Sequence, residues 1–234
     1  MPRDHREVGA PLRRECRDSY DRWERFASSR LGMRLMFAWA LAEATVWPIL
    51  PDFLLVPMAA ANRRRFHVPL AAAVIGMAVG GTTTVLFAYW APRRAWGLLR
   101  HLPLVHEQQI DVARRHLAAH GTVAFLFQPW SGVPSKIWAV MAGAERPNPW
   151  LAIAALVIAR SLRMAVLAGA ARMLAGRFAG PIRDHSIFLA ATYVTVFSVG
   201  LWRISQSARQ TARDSRVRCA PHAVGGLHTP GAPS

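Results

Sequence analysis

Five ionisable side chains stand inside otherwise apolar stretches of this chain: Glu43, Asp52, Lys136, Arg160 and Arg163. On a water-facing surface such residues say little. Inside stretches apolar enough for a membrane they are costly, and their usual work is handling ions, protons or ligands. Desolvation pulls a membrane carboxylate toward the neutral acid, and a nearby cation pulls it toward the anion. Glu43 and Asp52 are therefore candidate proton-exchanging groups. Lys136, Arg160 and Arg163 are candidates to neutralise those acids or to hold a phosphate, which guanidinium meets with two parallel donors. Arg160 and Arg163 are three apart, so both face one side of a helix. The competing reading is static, with these charges pinning one segment on another and Lys136 snorkelling from a short arm.

Composition narrows the setting. Of 234 residues, 53% are hydrophobic and only 18% charged, yet the formal net charge is +16. The arginines crowd the ends of apolar segments, where anionic lipid head groups would meet them, so nucleic acid is not the expected partner. Lys136 is the only lysine among the 29 basic residues. The two cysteines, Cys16 and Cys219, lie in opposite tails and form neither a disulfide framework nor a metal site. His101, His106, His116 and His120 do not follow zinc-ligand spacing. No metal or cofactor is expected. The charged opening of the chain is unlike a cleaved signal.

These residues need elements to position them. Residues 35–61 are apolar but carry Glu43, Pro48, Pro51 and Asp52 at their centre. One straight helix of that length would be about 40 Å, against a hydrocarbon core of about 30 Å. Two arms broken at Pro48–Pro51 suit a hairpin that enters and leaves on the same side, and irregular backbone at depth needs polar company. Arginines flank both its ends, at Arg30 and Arg34 and at Arg63–Arg65, as expected of one cytoplasmic face. A tilted, kinked span is the alternative. Residues 121–144 are broken in the same way, at Pro129, Gly132 and Pro134. Spans are predicted over 68–91 and 150–175, and a last, short apolar helix over 187–202. Gly76, Gly80 and Gly81 form a small-residue face that packs within one chain or against a second copy.

The remainder is connectors and tails. Residues 1–30 read as a basic amphipathic segment, with Leu12, Cys16, Tyr20, Trp23 and Ala27 on one face, or equally as a partly disordered basic tail. Residues 92–120 read as an interfacial connector with an amphipathic helix near 104–118. The membrane domain is expected over 31–203, and residues 204–234 as a disordered basic tail.

The two broken segments align without a gap. Trp47 falls on Trp130, Pro51 on Pro134, Met58-Ala59 on Met141-Ala142, and Val74-Ile75 on Val157-Ile158. The repeat unit is a broken segment followed by a span. If the broken segment is re-entrant, each unit crosses once and the second is upside down, as in secondary transporters. The expected fold is therefore all-α and polytopic, with two re-entrant helical hairpins in an inverted repeat plus spanning helices.

Glu43-Ala-Thr-Val-Trp-Pro48-Ile-Leu-Pro51-Asp52, the glycine-rich span after it, and Gly132-Val-Pro-Ser-Lys136 leading to Ala142-Gly143 resemble the DedA family of VTT-domain, or SNARE-associated, membrane proteins. Arg160-Ser-Leu-Arg163 is similar to a paired-arginine element of some members. The resemblance covers about residues 30–203. It implies a multi-pass protein of the bacterial inner membrane with two hairpins meeting in the bilayer. It also implies movement of lipid-linked phosphate, such as undecaprenyl phosphate, or of phospholipid between leaflets, dependent on the proton gradient. Membrane lipids and protons are then the partners. The chain departs from the common pattern in having Asp52 as its second acid and Gln128–Pro129 near a usual arginine, with Lys136 and Arg160 the candidates to supply that charge. No nucleophile or hydrolase motif stands beside Glu43 and Asp52, so an enzyme is not expected. An intramembrane acid/base enzyme and a non-transporting scaffold that recruits partners through basic tails are the competing classes.

Overall fold

The computed structural model describes residues 10–47, 49–102, 105–145 and 148–218, and among them every regular element is helical. In chain order these are α1 (Ala10–Ala27), α2 (Arg30–Thr45), α3 (Asp52–Ala61), α4 (His67–Trp90), α5 (Pro92–His101) and α6 (Glu107–His120). A 3-10 segment (Gly121–Trp130) follows, then α7 (Ser135–Ala144), α8 (Pro149–Arg177), α9 (Ala179–Asp184) and α10 (Ser186–Arg218). Two of these, α4 and α8, are long and apolar enough to cross a membrane.

Residues 35–61 form two arms that double back. The Ser29 hydroxyl caps α2 by accepting from the Gly32 amide at 3.0 Å. The helix stops after Thr45, whose hydroxyl turns back onto the carbonyls of Leu41 and Ala42. Pro51 then stands immediately before α3; the other proline of this break, Pro48, lies outside the described residues. The arms end side by side: Asn62 Nδ2, just past α3, donates to Ser28 Oγ, just before α2, at 3.1 Å. Pro57 sits inside α3 and removes the donor that the Phe53 carbonyl would otherwise receive. Tyr193 of α10 supplies a hydroxyl to that carbonyl and to that of Asp52, at 3.4 Å each.

The second broken segment is less regular. Its first arm is the 3-10 segment rather than an α-helix. The chain turns at Gly132, whose φ of +68° only glycine adopts without strain. Ser131 holds this turn, donating to the Gln128 carbonyl at 2.9 Å and accepting from the Val133 amide and the Trp138 indole at 3.2 Å. The end of α7 returns to α6, where Arg114 pairs with Glu145 at 3.3 Å.

Packing exchanges partners between the two halves. In the gapless alignment α3 falls on α7, and α4 on α8. The first arm α2 lies on α4 and the 3-10 segment on α8, while α3 lies on α8 and α7 on α4. Small residues bring α2 and α7 onto α4. A Cβ at Gly76 would lie 2.3 Å from the Phe37 carbonyl oxygen, and one at Gly143 would lie 2.2 Å from that of Val85. The Gly76–Gly80 face is thus occupied inside the chain, and only Gly81 of the three opens onto free space. Two hydrophobic clusters result. Met36, Leu55, Met58, Met77 and Met164 belong to one. Val85, Phe125, Ile137, Trp138 and Leu156 belong to the other. Both long helices contribute to both clusters, and Arg160 falls on α8 between Leu156 and Met164.

Both ends of the described chain are helical. The apolar face of α1 is not free, because Cys16 and Ala27 are fully buried and Trp23 donates to the Pro57 carbonyl at 3.2 Å. Two ion pairs tie α1 to the α9 region, Arg17–Asp184 and Arg183–Asp21, both at 2.7 Å. The hydrogen bond from Arg17 holds the Asp184 carboxyl below its ordinary range. The last helix continues to Arg218, past Ser205 where polar composition predicts disorder; alanine, glutamine and arginine there are good helix formers. Residues 219–234 lie outside the described residues.

Candidate functional site

The two breaks face each other, and the five charged residues gather there. Glu43 is in the last turn of α2 and Asp52 is the first residue of α3, where the positive end of the helix dipole favours a carboxylate. Lys136 is the second residue of α7. Arg160 and Arg163 come from the middle of α8, whose Asn148 cap accepts from the Trp150 and Leu151 amides at 3.1 and 3.3 Å. At 1.5 Å per residue, Arg160 is about 16 Å from one end of α8 and about 25 Å from the other.

The arginines divide between the acids. Arg160 Nη2 donates to Glu43 Oε2, and Arg163 Nη2 donates to Asp52 Oδ2. Glu43 and Arg160 are 5% and 8% exposed, so the first pair is desolvated; the second is partly open. The other Glu43 oxygen, Oε1, accepts from the Ser135 hydroxyl at 3.1 Å, which ties the first residue of α7 to the end of α2. A buried pair of this kind is held by geometry and by additional hydrogen bonds as much as by Coulomb attraction, because each ion gives up its water.

Lys136 behaves differently from the other two cations. It does not snorkel: it is 4% exposed, and its ammonium donates to the Trp47 carbonyl at 3.1 Å. Trp47 lies in the break, where its carbonyl has no helical partner. Other groups serve the same irregular backbone. Trp39 Nε1 donates to the Ile49 carbonyl at 3.1 Å, and Thr84 of α4 donates to the Ala44 carbonyl at 3.1 Å. Unpaired backbone in an apolar interior costs several kcal/mol, roughly, per group, so these donors are what makes the break tolerable. An ammonium has three donors. Among the described residues, Lys136 has no carboxylate within pairing distance. Three cations therefore face two carboxylates at one junction, buried at Glu43, Arg160 and Lys136 and partly open at Asp52 and Arg163.

Of the residues at the predicted breaks, Pro48 lies outside the described residues. Pro51 and Pro134 immediately precede α3 and α7, and Gly132 makes the second turn. Pro129 lies within the 3-10 segment. The neighbouring Gln128, in the region where the DedA resemblance leads one to expect an arginine, is buried, and its Oε1 has no hydrogen-bond partner among the described residues. Sequence reasoning singled out neither Ser135, Thr84 and Trp39 as partners of the break nor Tyr193 as the donor over Pro57. The proline in α3 was the available signal for Tyr193, because it frees a carbonyl that something must meet. Among the described residues, no group of three or more His, Cys, Asp or Glu side chains is gathered as for a metal ion.

No protein-family model, curated protein or solved structure matches the chain.

Proposed function

We propose that this chain is a polytopic membrane transporter of the DedA type, moving a lipid-linked phosphate such as undecaprenyl phosphate, or a phospholipid, between leaflets with proton coupling. The observation that carries the reading is the junction of three cations and two carboxylates where the two broken segments meet. Such a cluster has an unbalanced positive charge, and an anionic headgroup completes it. A phosphate that enters competes with Glu43 and Asp52 for the guanidinium groups, which it meets with the same two-pronged geometry as a carboxylate. A carboxylate left without its cation in a low-dielectric site takes up a proton. Headgroup entry and proton uptake are then one exchange, and release reverses it.

The membrane setting is supported by the two long apolar helices and by the apolar side chains they turn outward. These include Ile75, Val79 and Phe87 on α4 and Ile158, Leu162 and Val166 on α8. Apolar surface of that extent calls for a non-aqueous surround. The doubling-back of α2 and α3 favours a re-entrant hairpin, and the exchanged packing of the two halves favours an inverted repeat. Single cysteines at positions 34 and 62, with Cys16 and Cys219 replaced by serine, are then expected to react with an impermeant thiol reagent from the same side of a sealed vesicle. Labelling from opposite sides removes the hairpin and the inverted repeat with it.

The function itself is tested in proteoliposomes carrying a fluorescent polyprenyl phosphate in one leaflet. The wild-type chain is expected to equilibrate the phosphate lipid, faster with a pH gradient, and a phosphatidylcholine analogue in the same assay separates lipid-linked phosphate from phospholipid as the cargo. No movement above protein-free vesicles contradicts the proposal.

A further inference from the structure

A polar cavity of about 740 Å³ lies away from the charged junction, where α1, the α3–α4 turn and α9 meet. Arg17, Arg63, Arg64, Arg65 and Arg183 line it. Among the described residues, Glu24 and Asp184 are the carboxylates in the lining, and Asp184 is already engaged by Arg17. Arg183 is held at the rim by Asp21 and by the face of Tyr20, with its guanidinium carbon 5.6 Å from the ring centre. Arg63 reaches the Ala175 carbonyl at 3.4 Å, which fixes the α3–α4 turn against the end of α8. Arg64 and Arg65 are exposed and have no carboxylate partner among the described residues.

Two features bear on what would fit. Guanidinium groups converging from three parts of the chain suit a group with several anionic oxygens, above all a phosphate monoester. The cavity also stands beside apolar surface. Met173, Leu174 and Phe178, just before the lining residues Ala179 and Gly180, are all exposed. A ligand with a phosphate at one end and a hydrocarbon chain at the other meets both. Ala175 is about 22 Å along α8 from Arg160, so this is not the charged junction.

We infer that this cavity is a surface site for the phosphate headgroup of an anionic lipid. The site requires that the chain lie at a membrane surface but not that it transport anything. A chain that binds here and moves no lipid loses the proposed function and keeps the site.

The test is binding of phosphatidic acid, phosphatidylcholine and inorganic phosphate to the purified full-length chain in detergent, followed by microscale thermophoresis. Phosphatidic acid is expected to bind, and affinity is expected to fall about tenfold or more in the double variant Arg64→Gln/Arg65→Gln, as for loss of charge-assisted hydrogen bonds. Arg93→Gln/Arg94→Gln, on the exposed start of α5, is expected to bind as wild type. Inorganic phosphate is expected to compete with lower affinity. If it binds as tightly as phosphatidic acid, the ligand is a soluble anion and the lipid assignment is overturned. Equal affinity for phosphatidylcholine, or unchanged binding in Arg64→Gln/Arg65→Gln, overturns the phosphate site itself. Should that variant not fold, phosphatidic acid must still shield Arg64 and Arg65 of the wild-type chain from phenylglyoxal, read by mass spectrometry; absence of shielding is equally decisive against it.

Discussion

Arg160→Met is expected to destabilise the folded chain by about 3–5 kcal/mol, the cost of leaving a buried charge without its partner. The charge left behind is Glu43, which is 5% exposed and retains only the Ser135 hydroxyl at 3.1 Å. The same class of loss is expected for Glu43→Leu, which strands Arg160. Glu43→Gln/Arg160→Met is expected to recover most of the loss, because removing both charges of a buried pair leaves little uncompensated. Arg163→Met is expected to cost less than Arg160→Met, since the Arg163–Asp52 pair is partly open to solvent and exposed pairs contribute about 1 kcal/mol or less. Detergent-unfolding titrations of the four variants and of Glu43→Gln against wild type check this order. A loss in the double variant equal to the sum of the losses in Arg160→Met and Glu43→Gln alone would show that the pair is not coupled.

A comparable loss is expected from a single methyl group at Gly143. A Cβ there would lie 2.2 Å from the Val85 carbonyl oxygen, 2.8 Å from Ala88 Cβ and 2.8 Å from the Tyr89 amide nitrogen. Two of those three atoms are backbone of α4, so no side chain can swing aside, and α7 must move off the helix it packs against. Overpacking of this kind costs about 1–3 kcal/mol, and a rigid backbone obstacle puts Gly143→Ala at the upper end. Because α7 carries Ser135 and Lys136, the displacement is also expected to loosen their contacts with Glu43 and Trp47. Gly76→Ala meets the Phe37 carbonyl on the other side of α4 and is expected to behave alike. Gly81→Ala and Gly169→Ala meet nothing within 4 Å. Each is expected to be neutral or to stabilise by up to about 1 kcal/mol, as replacing a helical glycine does. The same unfolding titration separates the two classes; a uniform response across all four glycines would contradict the close packing of α2 and α7 on α4.

What was legible in the sequence was mostly what is expensive. Charges and prolines in apolar stretches are rare because they cost energy, so Glu43, Asp52, Lys136, Arg160 and Arg163 stand out without any structure. Their gathering at one junction was legible through the repeat, which set the two breaks opposite each other. The pairing was not legible: Arg160 with Glu43 and Arg163 with Asp52 join residues 117 and 111 positions apart. Which cation meets which acid depends on the height at which the hairpin lies on α8. Lys136 shows the limit of charge-based reasoning, since its partner is a backbone carbonyl that exists only because the chain breaks at Trp47. The 3-10 geometry of residues 121–130 was hidden for another reason, as an apolar run has nearly the same composition in either helix type. The glycine face of α4 was visible as a motif, but its partner, α2 rather than a second copy, depended on tertiary packing.

The most direct measurement is leaflet-to-leaflet movement of fluorescent polyprenyl phosphate by Glu43→Gln/Arg160→Met in proteoliposomes, beside wild type. The double variant is expected to keep its fold, so a static role for the pair predicts wild-type transport. A role in holding the headgroup and exchanging the proton predicts a rate lower by about tenfold to a hundredfold, the range for losing a charged hydrogen-bond partner, and no acceleration by a pH gradient. Transport by the double variant at the wild-type rate, still driven by the gradient, would contradict the assignment of this junction as the transport site.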